Sequence, residues 1–255
     1  MPVELDYRDD VAIMTLNRPD ALNALSYSVI GEIDAAIDEA GASQARALII
    51  TGAGDKAFCA GADIKESLQI APAEKRAVTK RAQDTFAKLD NLPIASIALI
   101  NGYAFGGGLE LALACTFRLA TPNVKMGLPE IKLGMVPGYG GTQRLPRLIG
   151  EGRALEIIMT GRTVGAAEAE RIGLVNRLVD GDGLQAALDF AAAFTCYSLP
   201  VLKLSRDVVS QAMDHPIAEG LEIECEANNR AFQTADATEG FSAFAEKRQP
   251  VFKDD

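Results

Sequence analysis

The 255-residue chain has no tryptophan and a single histidine, His215. A Ser-His-Asp triad would have to use that one imidazole, and a zinc site with two histidines is excluded. If the chain is an acid–base enzyme, carboxylates are the actors. Cysteine is also scarce. Cys59, Cys115, Cys196 and Cys225 stand far apart, so no CxxC metal or redox pair exists, and they read as inert thiols of a reducing compartment. No apolar run reaches the roughly 18 residues that suggest a membrane span. The start, MPVELDYRDD, lacks the basic-then-apolar order of a signal peptide. The expectation is a cytoplasmic protein with no membrane partner. Positive charge is in deficit: 25 Lys and Arg against 35 Asp and Glu give a net charge of -10. Such a chain binds nucleic acid and anionic membranes poorly, although a few local cations and backbone N–H groups can still hold a small anion.

What is present is ordinary globular material, with 48% hydrophobic and 24% charged residues. Val3 to Arg8 and Val11 to Leu16 flank an Asp9-Asp10 turn signal and predict a hairpin. Ile30, Ile33 and Ile37 predict a helix over residues 27–40, with Ser26 as its N-cap. Residues 47–51 and 94–100 read as buried strands. Each leads into a glycine-bearing loop, residues 52–61 and 101–108. A polar-faced helix over 73–89 lies between them, and a buried helix over 109–115 precedes a short strand over 117–120. This alternation predicts an α/β architecture without a fixed sequence period. After Gly140 helices predominate, apart from a last strand over 175–179. The tail has no strand signal, so the chain divides into a core over residues 1–195 and a helical region over 196–255.

Three stretches carry candidate chemistry. In the first, residues 56–65, small residues allow close approach to the backbone. A loop entering a helix at Asp63 leaves N–H groups free for an oxygen anion. The second, residues 101–110, has three successive glycines and then Glu110 among Leu109, Leu111, Ala112 and Leu113. A carboxylate so placed is desolvated, which favours its protonated form. In the third, Pro129 opens a short helix with Glu130 in its first turn, followed by the glycine-rich residues 137–142. Each has a plain structural alternative: a strand-to-helix turn, a solvated capping glutamate and a favourable charge–dipole placement. Rival motifs fail. Gly52-Ala53-Gly54 lacks the third glycine of a dinucleotide fingerprint, and no GxxxxGK[ST] occurs. His215, next to Pro216, reads as a surface or capping residue.

Taken together, these stretches resemble the enoyl-CoA hydratase/isomerase family, the crotonases. The likeness runs through Leu16-Asn17-Arg18-Pro19 with Asn23-Ala24-Leu25, AFCAGADIKE at 57–66, NGYAFGGGLELALAC at 101–115, GLPEIKLGMVPGYGGTQRLPR at 127–147 and EGFSAFAEKRQPVFK at 239–253. Five strings in the family's order are highly specific. The resemblance implies a spiral of ββα units followed by a helical trimerisation region, assembled as a homotrimer or dimer of trimers. It implies an acyl-CoA thioester substrate, with coenzyme A as part of the substrate and no separate cofactor or metal. The thioester oxygen would lie in an oxyanion hole made by the N–H groups of Ala62 and Gly107. Glu110 would activate the water that attacks the β-carbon, and Glu130 would protonate the α-carbon. Isomerases of the family commonly keep only the equivalent of Glu130, so both glutamates together favour hydration.

By the same resemblance, Ala60, Ala62, Asp63 and Ile64 line the adenine pocket. Lys56 and Lys65 flank it near the phosphates, and Lys247 approaches the nucleotide end, in some members from a neighbouring subunit. Gly138 and Gly141 line the water and substrate region. Two residues depart from the common pattern: Tyr139, where many hydratases have alanine, and Leu128, where others have glutamine. The larger residue at 139 bears on acyl chain length. An isomerase, a hydratase of aromatic or branched-chain acid degradation, and a non-catalytic CoA-binding or RNA-binding member are the alternatives. The negative net charge counts against RNA.

Overall fold

The computed structural model describes all 255 residues, which fall into two compact units, Met1–Ala191 and Ala192–Asp255. The first begins with the expected hairpin. β1 (Val3–Arg8) pairs antiparallel with β2 (Val11–Leu16) through a turn in which Asp9 has φ 52°. Helix α1 (Tyr27–Ala42) buries Ile30, Ile33 and Ile37, and Ser26 caps it, its side chain accepting the Val29 N–H at 3.3 Å.

Three strand–strand–helix units follow. The first is β3 (Ala47–Gly52), β4 (Ala57–Cys59) and the short α2 (Ile64–Ser67), after which α3 (Lys75–Asn91) connects to the next. The second is β5 (Ala95–Ile100), β6 (Tyr103–Phe105) and α4 (Gly107–Ala114). The third is β7 (Phe117–Ala120), β8 (Lys125–Gly127) and a 3₁₀ turn, Pro129–Leu133. Then come α5 (Gly141–Ile149), α6 (Glu151–Thr160), β9 (Val164–Gly165), α7 (Ala166–Arg171), β10 (Arg177–Leu178) and α8 (Gly183–Thr195). The first strand of each unit enters a six-stranded sheet of order β1-β2-β3-β5-β7-β10, and the second strand enters a four-stranded sheet of order β4-β6-β8-β9. β3, β5 and β7 run parallel, as do β4, β6 and β8. This is the ββα spiral that the family resemblance implies. Its units start at residues 47, 95 and 117, which is why no sequence period betrays it.

Two expectations need correction. The stretches 52–61 and 101–108 are not loops throughout, because each contains a three-residue strand of the second sheet, β4 and β6. β8 and β9 are further short strands that the sequence reading passed over. A three-residue strand is too short to show a two-residue alternation, and the flanking glycines mimic a turn. Those glycines serve close approach instead: a Cβ on Gly102 would sit 2.4 Å from the Lys56 carbonyl oxygen, and one on Gly108 would sit 2.1 Å from that of Cys59. The last strand is also shorter than residues 175–179, spanning Arg177–Leu178 only.

The core of this unit is aliphatic. Leu48, Ile49, Ile50, Phe58, Phe86 and Ile97 are fully buried, each contributing about 2 kcal/mol of apolar burial. Arg118 on β7 is buried too, at 5% exposure. Its guanidinium donates to the carbonyls of Cys115 (2.8 Å), Ala112 (3.5 Å) and Leu174 (3.0 Å). It thereby ties the end of α4 to the segment after α7, adding a donor to the Cys115 and Leu174 carbonyls.

The second unit contains α9 (Leu199–Gln211), α10 (Ile217–Phe232) and α11 (Ala235–Glu246). Asp236, 2% exposed, ties down the C-terminal residues by accepting the N–H groups of Lys253 (2.7 Å) and Asp254 (2.9 Å). No single helix in the chain is long and apolar enough to cross a membrane.

Candidate active site

The candidate residues follow the second strand of each spiral unit: Ala62 after β4, Gly107 and Glu110 after β6, and Glu130 after β8. Because these strands are neighbours in one sheet, residues as far apart in the sequence as Ala62 and Glu130 follow the same end of that sheet.

Ala62 forms an isolated parallel bridge with Leu25. The Leu25 N–H donates to the Gly61 carbonyl and the Asp63 N–H to the Leu25 carbonyl, both at 2.8 Å. In such a bridge the backbone groups of the intervening residue face the other way, so the Ala62 N–H points away from Leu25. Gly61, at φ 102°, makes a tight passage on that other side: a Cβ there would lie 2.9 Å from the Phe105 carbonyl oxygen and 3.6 Å from the Gly107 nitrogen. The Leu25 segment is itself pinned. Asn23, at φ 57° and 1% exposure, accepts the Arg18 N–H and donates to the carbonyls of Ala53 and Ala57. Arg18 reaches Asp63 at 3.3 Å, and Asp63 caps α2 by accepting the Glu66 N–H.

Gly106 turns the chain out of β6 at φ 51°, ψ −127°, and Gly107 is the first residue of α4. Its N–H is one of the first-turn donors that a helix cannot pair internally. Glu110 lies one turn on, 1% exposed. Its Oε1 accepts the N–H of Tyr139 at 2.7 Å and of Gly141 at 2.8 Å. Burial pushes this carboxyl up to about 7, the Gly141 hydrogen bond opposes it, and the neighbouring Glu130 charge adds to the rise. A Cβ at 141 would meet Leu128 Cδ1 at 2.9 Å and the Glu110 side chain at 3.1 Å, so both would have to shift.

Pro129 opens the 3₁₀ turn as expected, with Glu130 in its first turn. The Glu130 carboxylate faces Gly106: a Cβ there would stand 2.8 Å from Oε1. Its Oε2 is buried with no hydrogen-bond partner. Burial raises this carboxyl, opposed only by a hydrogen bond to its own backbone. The two glutamates thus meet at the Gly106–Gly107 turn in unlike surroundings. One oxygen of Glu110 is held by two N–H donors, whereas an oxygen of Glu130 has none.

Tyr139 covers this turn. A Cβ on Gly107 would sit 2.9 Å from ring carbon Cδ2 of Tyr139, and the ring stands edge-on to Phe86, centroids 5.9 Å apart. The adjacent Gly138 carbonyl accepts from Gln83 Nε2 at 2.8 Å. Gly138, Tyr139 and Gly141 therefore join the two glutamates. Lys56 and Lys65 are exposed, Ala60 is half-buried with its N–H committed to the Leu22 carbonyl, and Ile64 is 52% exposed. The Asp63 side chain is engaged by Arg18 and the α2 cap. Lys247 lies in the second unit, as the left-handed C-cap of α11 at φ 54°. No group of three or more His, Cys, Asp or Glu converges as metal ligands would. Sequence reading gave no role to Arg18, Phe86 or Gln83. Their partners are 45, 53 and 55 positions away, and nothing local in the sequence signals such contacts.

Comparison with known proteins places this arrangement among relatives. The sequence profile described as enoyl-CoA hydratase/isomerase matches residues 6–255. A short-chain-enoyl-CoA hydratase of Clostridium acetobutylicum is 41% identical, the match covering 97% of this chain and 95% of that protein. A crotonyl-CoA hydratase of Syntrophomonas wolfei is 39% identical over 97% and 96% of the two chains. The crystal structure of an enoyl-CoA hydratase from Bacillus anthracis superposes with a TM-score of 0.96 at 38% identity, covering all of both chains.

Proposed function

Because the chain belongs to the enoyl-CoA hydratase/isomerase family, we propose that it is an enoyl-CoA hydratase, adding water reversibly to a 2-trans-enoyl-CoA to give the 3-hydroxyacyl-CoA. The observation that carries this reading is buried Glu110 and half-buried Glu130, in unlike surroundings beside two backbone donors. In the proposed mechanism the thioester oxygen accepts hydrogen bonds from the N–H groups of Ala62 and Gly107. Both donors are fixed before the substrate arrives and stabilise negative charge as it builds on that oxygen. Glu110, oriented by the N–H groups of Tyr139 and Gly141 on Oε1, keeps its other oxygen for water. It takes a proton as the water oxygen bonds to the β-carbon. Glu130, whose carboxyl burial raises and whose Oε2 has no donor, delivers a proton to the α-carbon. Carboxylates whose surroundings push their proton affinities apart divide acid and base roles in this way.

Coenzyme A would lie along the backbone of Ala60, Ala62, Asp63 and Ile64, with Lys56 and Lys65 meeting its phosphates. The family's assembly, a homotrimer or dimer of trimers, is part of the same proposal. It is supported by large apolar side chains at the surface of the second unit, among them Phe244 at 86% exposure and Met213 at 74%.

The test is loss of the conjugated thioester's ultraviolet absorbance with crotonyl-CoA, with the product identified. The expected product is 3-hydroxybutyryl-CoA. A double bond shifted without added water would assign an isomerase, and no turnover with any enoyl-CoA would sink the proposal. Glu110→Gln and Glu130→Gln should each lower kcat by about 10²-fold or more, the usual scale of general acid–base catalysis. A near-normal rate from either would contradict its role.

A further inference from the structure

We propose that Arg18 is a positioning residue that aligns and polarises the Ala62 N–H through a chain of two peptide units. The proposal rests on the hydratase reading above for the thioester oxygen placed at that N–H. The chain starts at the guanidinium, where Arg18 Nη1 donates to the Ala24 carbonyl at 2.7 Å. That carbonyl shares its peptide unit with the Leu25 N–H, which donates to the Gly61 carbonyl at 2.8 Å. The Gly61 carbonyl in turn shares its peptide unit with the Ala62 N–H. Both peptides are trans, and in a trans peptide the carbonyl and the N–H point in opposite directions. The three donors therefore run one way, from the cation toward the thioester oxygen.

The two oxyanion donors differ in what stands behind them. Gly107 opens α4, whose eight residues of aligned peptides put partial positive charge on its first N–H groups. Ala62 has no such helix behind it, because α2 starts only at Ile64 and has four residues. A cation bonded to the far end of the chain supplies the missing polarisation, since each hydrogen bond in a row strengthens the next by roughly 10–30%. Arg18 is well held for this. Its N–H donates to Asn23 Oδ1, and its carbonyl accepts the N–H groups of Ala21 and Asn23, all at 2.9 Å. Its Nη2 reaches Asp63 Oδ2 at 3.3 Å, a longer contact than the one to the Ala24 carbonyl. The Arg18 side chain is only 27% exposed, so solvent ions screen its charge less than at an open surface.

The experiment reads the thioester carbonyl directly. Butyryl-CoA, isotope-labelled at its carbonyl carbon, is bound to wild type, Arg18→Met and Arg18→Lys, and its stretching frequency is measured by isotope-difference infrared spectroscopy. Hydrogen bonds into the oxygen lower that frequency, so the wild type should show a lowered band. Arg18→Met should move the band part of the way back toward free butyryl-CoA. Arg18→Lys keeps a charged donor and should stay closer to wild type. With crotonyl-CoA, Arg18→Met should lower kcat by about tenfold, less than the roughly 10²–10³-fold loss of a donor removed outright. KM should stay close to wild type, because the effect grows with the charge on the oxygen. If Arg18→Met does not fold, Arg18→Gln replaces it as the uncharged variant, with a band displaced in the same direction. A wild-type band equal to that of free butyryl-CoA overturns the thioester placement and the chain with it. A lowered wild-type band that stays unchanged in the folded, uncharged variant overturns the chain alone. Binding of butyryl-CoA needs no turnover, so the hydratase reading and the chain fail separately.

Discussion

At the scale of single residues, Glu110 pits burial against two N–H donors. Its carboxyl stands near 7 when folded against 4.5 for an ordinary glutamate. A group whose proton is held more tightly in the folded state stabilises the fold below the lower value, and that stability is lost as pH rises through the higher one. Ionised Glu110 therefore costs the wild type on the order of 3 kcal/mol above pH 7. A glutamine accepts the same two N–H groups and carries no charge. Glu110→Gln should gain stability relative to wild type as pH rises from 5 to 8, measured by urea denaturation at each pH. A stability difference that does not change with pH would contradict this account of the carboxylate.

At the scale of elements, α4 carries Gly107 and Glu110 at one end and is closed at the other by the buried Arg118. Arg118→Ala removes the donor to the carbonyls of Ala112, Cys115 and Leu174. Losing the hydrogen bonds and packing of this buried guanidinium should cost about 2–4 kcal/mol, seen as a lower urea midpoint with an unchanged slope. A loss within about 0.5 kcal/mol, the range of ordinary surface changes, would contradict that role. The same elements show what the sequence made legible. Ser26 before an isoleucine stripe announces α1, and Pro129 announces the short turn that carries Glu130, because caps and periodicity are local. The three-residue strands β4 and β6 were hidden, since their pairing depends on partners 46 residues distant, as between Ala57 and Tyr103. The glutamates themselves were visible as carboxylates in apolar strings. The hydrogen bonds that make them unlike were not, because Tyr139 and Gly141 lie 29 and 31 positions beyond Glu110.

At the scale of the whole molecule, the net charge of -10 means that the proposed contact with CoA phosphates would fall to a few exposed lysines, and large apolar residues of the second unit are exposed. Light scattering should report three or six copies of the 27.0 kDa chain. Phe244→Asp, which puts charge on the most exposed of the large apolar side chains of that unit, should shift the population toward smaller species. A monomeric wild type, or a variant of unaltered mass, would contradict the assembly and the part this side chain plays in it. The central claim is that two glutamates, Glu110 as base and Glu130 as acid, run the hydration. The pH dependence of kcat/KM for crotonyl-CoA tests it most directly. Over about pH 5 to 9 the predicted profile falls below about pH 7, as Glu110 gains its proton. A rate independent of pH across that range would contradict it.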